Sequence, residues 1–295
     1  MKKSIKRILQ EKHWGISMYI LKHKILFKHR KTQEQDVFEL LCNLKEQGVK
    51  PFLGDFAKKY EDFDVSAYRE ENNGYFWVIH NGEKLYFSDK ANQNRVKRIY
   101  TKLCKEQDIA SPHRYVKDYS CLQNCYVIEA GAAEASFSLD AISNNCKKVY
   151  ICECDEEWIP SLNKTFERFG SRAEIIQKYV SDTDSETSIT IDSILRNAVE
   201  MDGLDFEKDK IFIKMDIEGM EMAGVNGMQN SLKKAKHISC AICTYHKQDD
   251  ESKIRALFPE EYWNIETSSG YMLFPYDKQQ KSPYLRRGVL RVTKK

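Results

Sequence analysis

A chain of 295 residues with 41% hydrophobic residues, among them 14 Phe, 16 Tyr and 4 Trp, carries enough apolar material for a core. Charged residues reach 31% but mix in sign, and only 13 Gly and 6 Pro occur, which excludes disordered, collagen-like and low-complexity classes. No apolar run approaches the roughly 18 residues of a membrane span.

The net charge of +3 divides unevenly. Residues 1–30 hold nine Lys or Arg against one Glu, a balance of +8 that leaves −5 for the rest. A basic terminus beside an acidic body argues against a nucleic-acid partner, whose binding domain would carry its basic stripe on the fold itself. The stretch Trp14 to Phe27 mixes apolar residues with Lys22, His23 and Lys24. It is expected to pack on the body as a helix with a solvated basic face. Peripheral contact of residues 1–30 with an anionic membrane is the alternative. Its interrupted apolar core, with no small-residue cleavage site after it, does not fit a signal peptide.

Residues 31–60 show helical spacing that ends near Gly48 and Pro51. Two aromatic-rich runs in 75–87 flank Asn81-Gly82, the strongest short-range hairpin signal. Helical spacing returns over 91–108, and SPHRY (111–115) breaks it. From residue 125 onward, the short apolar runs 125–131, 147–154, 173–181, 210–216 and 237–246 alternate with amphipathic stretches. Such alternation predicts βαβ units and a doubly wound, mostly parallel sheet. Residues 261–268 and 286–294 add two strands without a helix between them, expected as an antiparallel edge hairpin. A boundary near residue 110 separates an N-terminal accessory α+β segment (1–110) from this α/β domain (111–295). Nine cysteines show no disulfide framework. Cys240 and Cys243 fall on opposite faces of a strand, so buried reduced thiols and a cytoplasmic compartment are expected.

Ligands of open parallel sheets bind beyond the carboxyl ends of the strands, so those ends hold the candidate chemistry. The first delivers Glu129, Gly131, Ala132 and Glu134 in a tight turn of small residues. Its single Gly departs from the dinucleotide fingerprint, and its carboxylates suit an ammonium or sulfonium ligand while repelling a pyrophosphate. Glu153 ends the second strand, 24 residues after Glu129, where an acidic residue grips ribose hydroxyls. Ser181 and Asp182 end the third and would flank an adenine. The fourth ends in the octet 214–221, where strand alternation gives Lys214, Asp216 and Glu218 one face before Gly219. The fifth brings His246 to the neighbouring tip.

From about residue 72 onward the chain resembles the FkbM family of S-adenosylmethionine-dependent methyltransferases. The resemblance rests on VIEAGAAEASFSL, KKVYICECDEEW, TIDSIL, IFIKMDIEGMEMAGVNGM and CTYHKQDD. The family usually has Asp where Glu129 stands and Gly where Ala135 stands. The resemblance implies a class I, Rossmann-like fold with a seven-stranded sheet. It also implies an O-methyltransferase acting on a small-molecule or glycan acceptor, such as a sugar hydroxyl. S-adenosylmethionine would lie across Gly131 and Ala132, its ribose on Glu153 and its amino acid end near Glu129 and Glu134. Of the candidate catalytic residues, His246 is the first choice of base and Asp216 the second. Lys214 neutralises one carboxylate while the other orients the imidazole. That arrangement predicts catalysis without a metal; the competing one holds Mg²⁺ on Asp216, Glu218 and His246. Tyr284, Arg286 and Arg287 would line the acceptor entrance. The reading from a different class is a non-catalytic scaffold on the same fold.

Overall fold

Apolar spacing in the first sixty residues folds as three helices, α1 (Ile5–Lys28), α2 (Gln35–Gln47) and α3 (Asp55–Lys58). The structure, a computed structural model, describes residues 5–72, 74–277 and 280–295. A three-stranded antiparallel sheet follows, built from β1 (Tyr68–Arg69), β2 (Phe76–His80) and β3 (Glu83–Phe87). The turn between β2 and β3 is the expected one: Asn81 and Gly82 take φ of 51° and 85°, the positive values a two-residue hairpin loop needs. Helix α4 (Gln93–Glu106) starts at Asn92, whose side chain accepts from Arg95 N at 2.9 Å.

The chain then alternates. In order come β4 (Cys125–Ala130), α5 (Ser136–Ser143), β5 (Lys148–Cys152), α6 (Ile159–Phe166) and β6 (Ala173–Ile176). The run 173–181, expected as one strand, stops after Ile176, where Lys178 N turns back to Ile176 O at 2.9 Å. Its remainder, β7 (Tyr179–Val180), pairs with β8 (Ser188–Ile189) in a separate ribbon. The alternation resumes with α7 (Ile191–Asp202), β9 (Lys210–Met215), α8 (Glu221–Asn226), α9 (Gln229–Lys234), β10 (His237–Cys243) and α10 (Asp250–Arg255). The chain ends with β11 (Trp263–Thr267), the two-stranded ribbon β12 (Met272–Leu273) and β13 (Leu285–Arg286), and β14 (Val289–Lys294).

Seven strands form the main sheet in the order β11-β14-β10-β9-β4-β5-β6. β10, β9, β4, β5 and β6 run parallel, and β14 lies antiparallel between β10 and β11. The last two strands thus pair at the edge as expected, with the final one inserted inside it. Strand order reverses at β4, whose neighbours are β5 on one side and β9 on the other, and this switch point opens the ligand crevice.

Alternate residues of each buried strand feed opposite cores. Ile128, Tyr150, Ile213 and Ile242 meet Ile194, Leu195 and Val225 on one side. Val127, Ile151, Phe212 and Ala241 meet Phe137, Leu139 and Leu162 on the other. The second core runs on without a break into Val78, Leu85, Phe87 and Val96 of the N-terminal segment. Polar contacts seal that seam: His80 Nε2 lies 2.8 Å from Asp140 Oδ1, and Tyr86 N donates to Thr165 Oγ1 at 3.1 Å. A third, smaller core joins Leu21 and Ile25 of α1 to Leu40 and Leu44 of α2 and to Leu273 and Leu285 of the ribbon. All nine cysteines are free, and not all are buried: Cys42 and Cys121 are exposed. Among the described residues, no helix is long and apolar enough to cross a membrane.

Candidate active site

The turn after β4 is shaped by contact with β9. Gly131 has φ +75°, and a Cβ there would lie 1.9 Å from the Asp216 carbonyl oxygen, so no side chain fits. Its N–H and that of Ala132 both reach Cys152 O, at 3.0 and 3.1 Å. Glu153 completes the cradle, its two carboxylate oxygens accepting from Ala133 N at 2.7 Å and Asp155 N at 2.8 Å. Ala135, where the family usually has Gly, takes φ +55° and is fully buried.

Glu129 and Lys214 are register partners on adjacent parallel strands, and both are buried. Lys214 Nζ lies 3.4 Å from Glu129 Oε1 and donates to Gly131 O at 2.5 Å. Glu129 Oε2 accepts from Ser138 N and Ser138 Oγ at 2.9 and 2.6 Å. Burial would lower the Lys214 pKa, but Glu129 and Asp216 outweigh it and hold the ammonium charged. Both Glu129 oxygens are therefore engaged inside the protein. Glu134 is the buried carboxylate of the turn without such a cation clamp, and burial pushes it up to about 7. Ser181 and Asp182 lie just beyond β7, so the small ribbon rather than the main sheet carries them.

The octet divides its acids differently from the alternation expected for it. β9 ends at Met215, so the two-residue period no longer applies at Glu218. Glu218 takes φ +55° and its side chain points outward, 89% exposed. The buried acid is Glu221, at the start of α8, whose Oε1 accepts from Ile217 N at 3.0 Å and lies 2.9 Å from His246 Nδ1. Its Oε2 and both imidazole nitrogens are buried without a hydrogen bond of good geometry among the described residues. The imidazole Nε2 stands 3.6 Å from both Asp216 Oδ1 and Glu218 Oε2. Burial would depress the His246 pKa, but Glu221 first, then Asp216 and Glu218, raise it above the ordinary value.

Asp216 is the hub of this cluster. Tyr115 Oη donates to Oδ2 at 2.9 Å and Tyr245 Oη to Oδ1 at 3.1 Å, while His113 Nε2 lies 3.4 Å from Oδ2. Burial would raise its carboxyl, but His113, then Lys214 and His246, hold it well below the usual range. Burial followed by Asp216 pushes both tyrosines well above their ordinary value, so they remain donors. The segment supplying His113 and Tyr115 is pinned to β14 through Arg291, which donates to the carbonyls of Tyr115 and Arg114 at 2.9 and 2.7 Å. Arg286 reaches the carbonyls of Tyr245 and His246, each at 2.7 Å. It thus braces the tip of β10 from behind. Asp216, Glu221 and His246 each bring one candidate ligand atom within 4.8 Å of the others, as do His113, Asp216 and Cys243.

No sequence pattern marks His113, Tyr115, Tyr245 or Glu221 as part of the site. Glu221 is the last acid of the octet, and Tyr245 adjoins His246 in sequence. His113 and Tyr115 gave only a helix-breaking signal.

Residues 126–262, spanning β4 to the edge of β11, match the methyltransferase FkbM domain. The chain carries an FkbM methyltransferase domain. It is thus an S-adenosylmethionine-dependent methyltransferase, and its sheet is the class I, Rossmann-like one. No curated protein matches the chain. Similar solved structures include an rRNA methylase from Streptococcus thermophilus (12% identity, 60% of this chain and 92% of that one, TM-score 0.37). Others are a precorrin-6y C5,15-methyltransferase from Geobacter metallireducens (14%, 60% and 84%, 0.36) and a tRNA m1G37 methyltransferase from M. jannaschii (15%, 76% and 58%, 0.37). These likenesses are distant, and the acceptors named for those proteins are their own. The octet 214–221 lies within the matched residues, between the small-residue turn and His246.

Proposed function

We propose that this FkbM methyltransferase transfers a methyl group to a sugar hydroxyl of a glycan or related metabolite, with His246 as the general base. One observation carries the reading: a buried imidazole stands between two acids, Glu221 at 2.9 Å from Nδ1 and Asp216 at 3.6 Å from Nε2. When bound, S-adenosylmethionine supplies a methyl carbon activated by its sulfonium. The chain's own residues align the acceptor and remove its proton. Alignment contributes up to roughly 7–11 kcal/mol in favourable cases. Asp216 is too strongly held as an anion to serve as the base, and positions the two tyrosines instead. The assay is mass-spectrometric detection of methyl transfer to nucleotide sugars and glycan fragments; transfer to RNA alone would overturn the sugar assignment.

In this reading the cofactor lies over Gly131 and Ala132, with its ribose on Glu153, its ammonium end toward Glu134, and Ser181 and Asp182 beside the adenine. Glu153→Ala weakens S-adenosylmethionine binding by about 1.5–3 kcal/mol, because charge-assisted hydrogen bonds are lost. Calorimetric titration giving an affinity within twofold of the parent would show the ribose to be elsewhere. Glu134 adds a pH dependence. With its carboxyl raised to about 7, a cationic ligand binds more weakly as pH falls through that value and gains affinity above it. Titrations at pH 6 and pH 8 measure the difference, which Glu134→Gln removes.

Catalysis is proposed to proceed without a metal. Asp216 already accepts from two tyrosines, and Lys214 adds a fixed positive charge nearby, so a divalent ion gains little there. Turnover should survive exhaustive chelation. Loss with chelator and recovery with Mg²⁺ would instead make Asp216, Glu221 and His246 ligands.

A further inference from the structure

We propose that the outward face of α1 is a docking surface for an anionic lipid bilayer. Leu21 and Ile25 turn inward onto α2 and the β12–β13 ribbon. On the far side Ile16, Tyr19 and Phe27 are 61%, 65% and 69% exposed, and Ile20 is exposed between them. Steps of three to four residues put these side chains on one stripe. The helix therefore has two apolar faces, of which the protein covers one.

The charge around the stripe identifies what would cover the other. Lys24, Lys28 and Arg30 are exposed beside it, and the Arg30 guanidinium sits 3.9 Å over the Phe27 ring. Residues 1–30 carry +8 against −5 for the remaining chain, so the cationic end is attracted to an anionic surface while the body is held off it. A second α1 would bring like charges together, which disfavours self-pairing. Trp14, in the row of Leu21 and Ile25, stacks on Tyr276 at 5.9 Å and fixes the inward side of the helix to the body. The helix is not apolar enough to span, so it lies in the interface plane.

Aromatic contacts run from the inward side of α1 to the candidate active site. Tyr276 meets Phe274 at 5.6 Å, and Phe274 meets the His246 ring at 5.6 Å. Docking through α1 would bring the site close to acceptors held at a lipid surface.

The test is sedimentation of the full chain with vesicles of phosphatidylcholine alone or with about 30% phosphatidylglycerol. Anionic vesicles should bind at least about tenfold more tightly. The triple variant Ile16→Ser/Tyr19→Ser/Phe27→Ser and the charge variant Lys24→Glu/Lys28→Glu should each lose about tenfold or more. Unchanged thermal melts and S-adenosylmethionine titrations show that the variants fold. No preference for anionic vesicles, or binding unaffected by the serine variant, would overturn the proposal. So would concentration-dependent self-association that the serine variant abolishes, which would assign the stripe to a second copy.

Discussion

His246→Asn lowers the rate of methyl transfer by about 10²–10⁴-fold, the contribution of a positioned general base, while S-adenosylmethionine binding stays within twofold. The imidazole is buried at the tip of β10, and what distinguishes it is the Glu221 carboxylate 2.9 Å from Nδ1. A base must be neutral to accept a proton, and the surrounding acids raise the pKa of this one. Activity therefore falls as pH drops through a value above the ordinary ~6.5 of histidine. Glu221→Gln removes the chief cause of that shift. Asp216 and Glu218 alone then oppose burial, and the acidic limb of the pH–rate profile moves downward while the maximal rate declines. A limb that stays in place in Glu221→Gln would take the proton transfer away from His246.

Lys214→Met destabilises the protein by about 3–5 kcal/mol, the cost of removing one partner of a buried ion pair. Glu129 is left with Ser138 as its donor, and Gly131 O loses its hydrogen bond. The defect depends on pH with a definite sign. Without the ammonium, the folded-state pKa of Glu129 stands further above its unfolded value. The variant is then closest to the parent below the unfolded value and loses ground as pH rises through the folded one. Urea unfolding at pH 4.5 and pH 8 measures this, and the double replacement Lys214→Met/Glu129→Gln should recover most of the loss. A single variant as stable as the parent at pH 8 would show that the pair contributes nothing.

The strands that build this site were legible because buried parallel strands are continuous apolar runs, and the stops between them hold Gly, Asp and Asn. Register was not. Nothing in the spacing of Glu129 and Lys214 says that β4 and β9 place them side by side, since a parallel crossover has no fixed length. Glu221 rather than Glu218 is the buried acid for a local reason: strand alternation ends with β9, three residues before Glu218, which lies in a turn with positive φ. His113 and Tyr115 were hidden for a different reason. They reach Asp216 across about a hundred residues of sequence, held by Arg291 on the last strand, and no local pattern records such a contact. The outer stripe of α1 escaped because the apolar residues of its two faces interleave, which blurs a single amphipathic period.

The seam between the N-terminal sheet and the methyltransferase domain has a practical consequence for handling the protein. Leu85 and Phe87 are fully buried in the same core as Phe137 and Leu162. A recombinant fragment cut to the family-matching residues 126–262 would expose that core to solvent. It would also lack His113 and Tyr115, as well as the β14 strand that lies inside the sheet. Such a fragment is expected to precipitate, whereas a chain shortened only within α1 keeps every residue that touches Asp216.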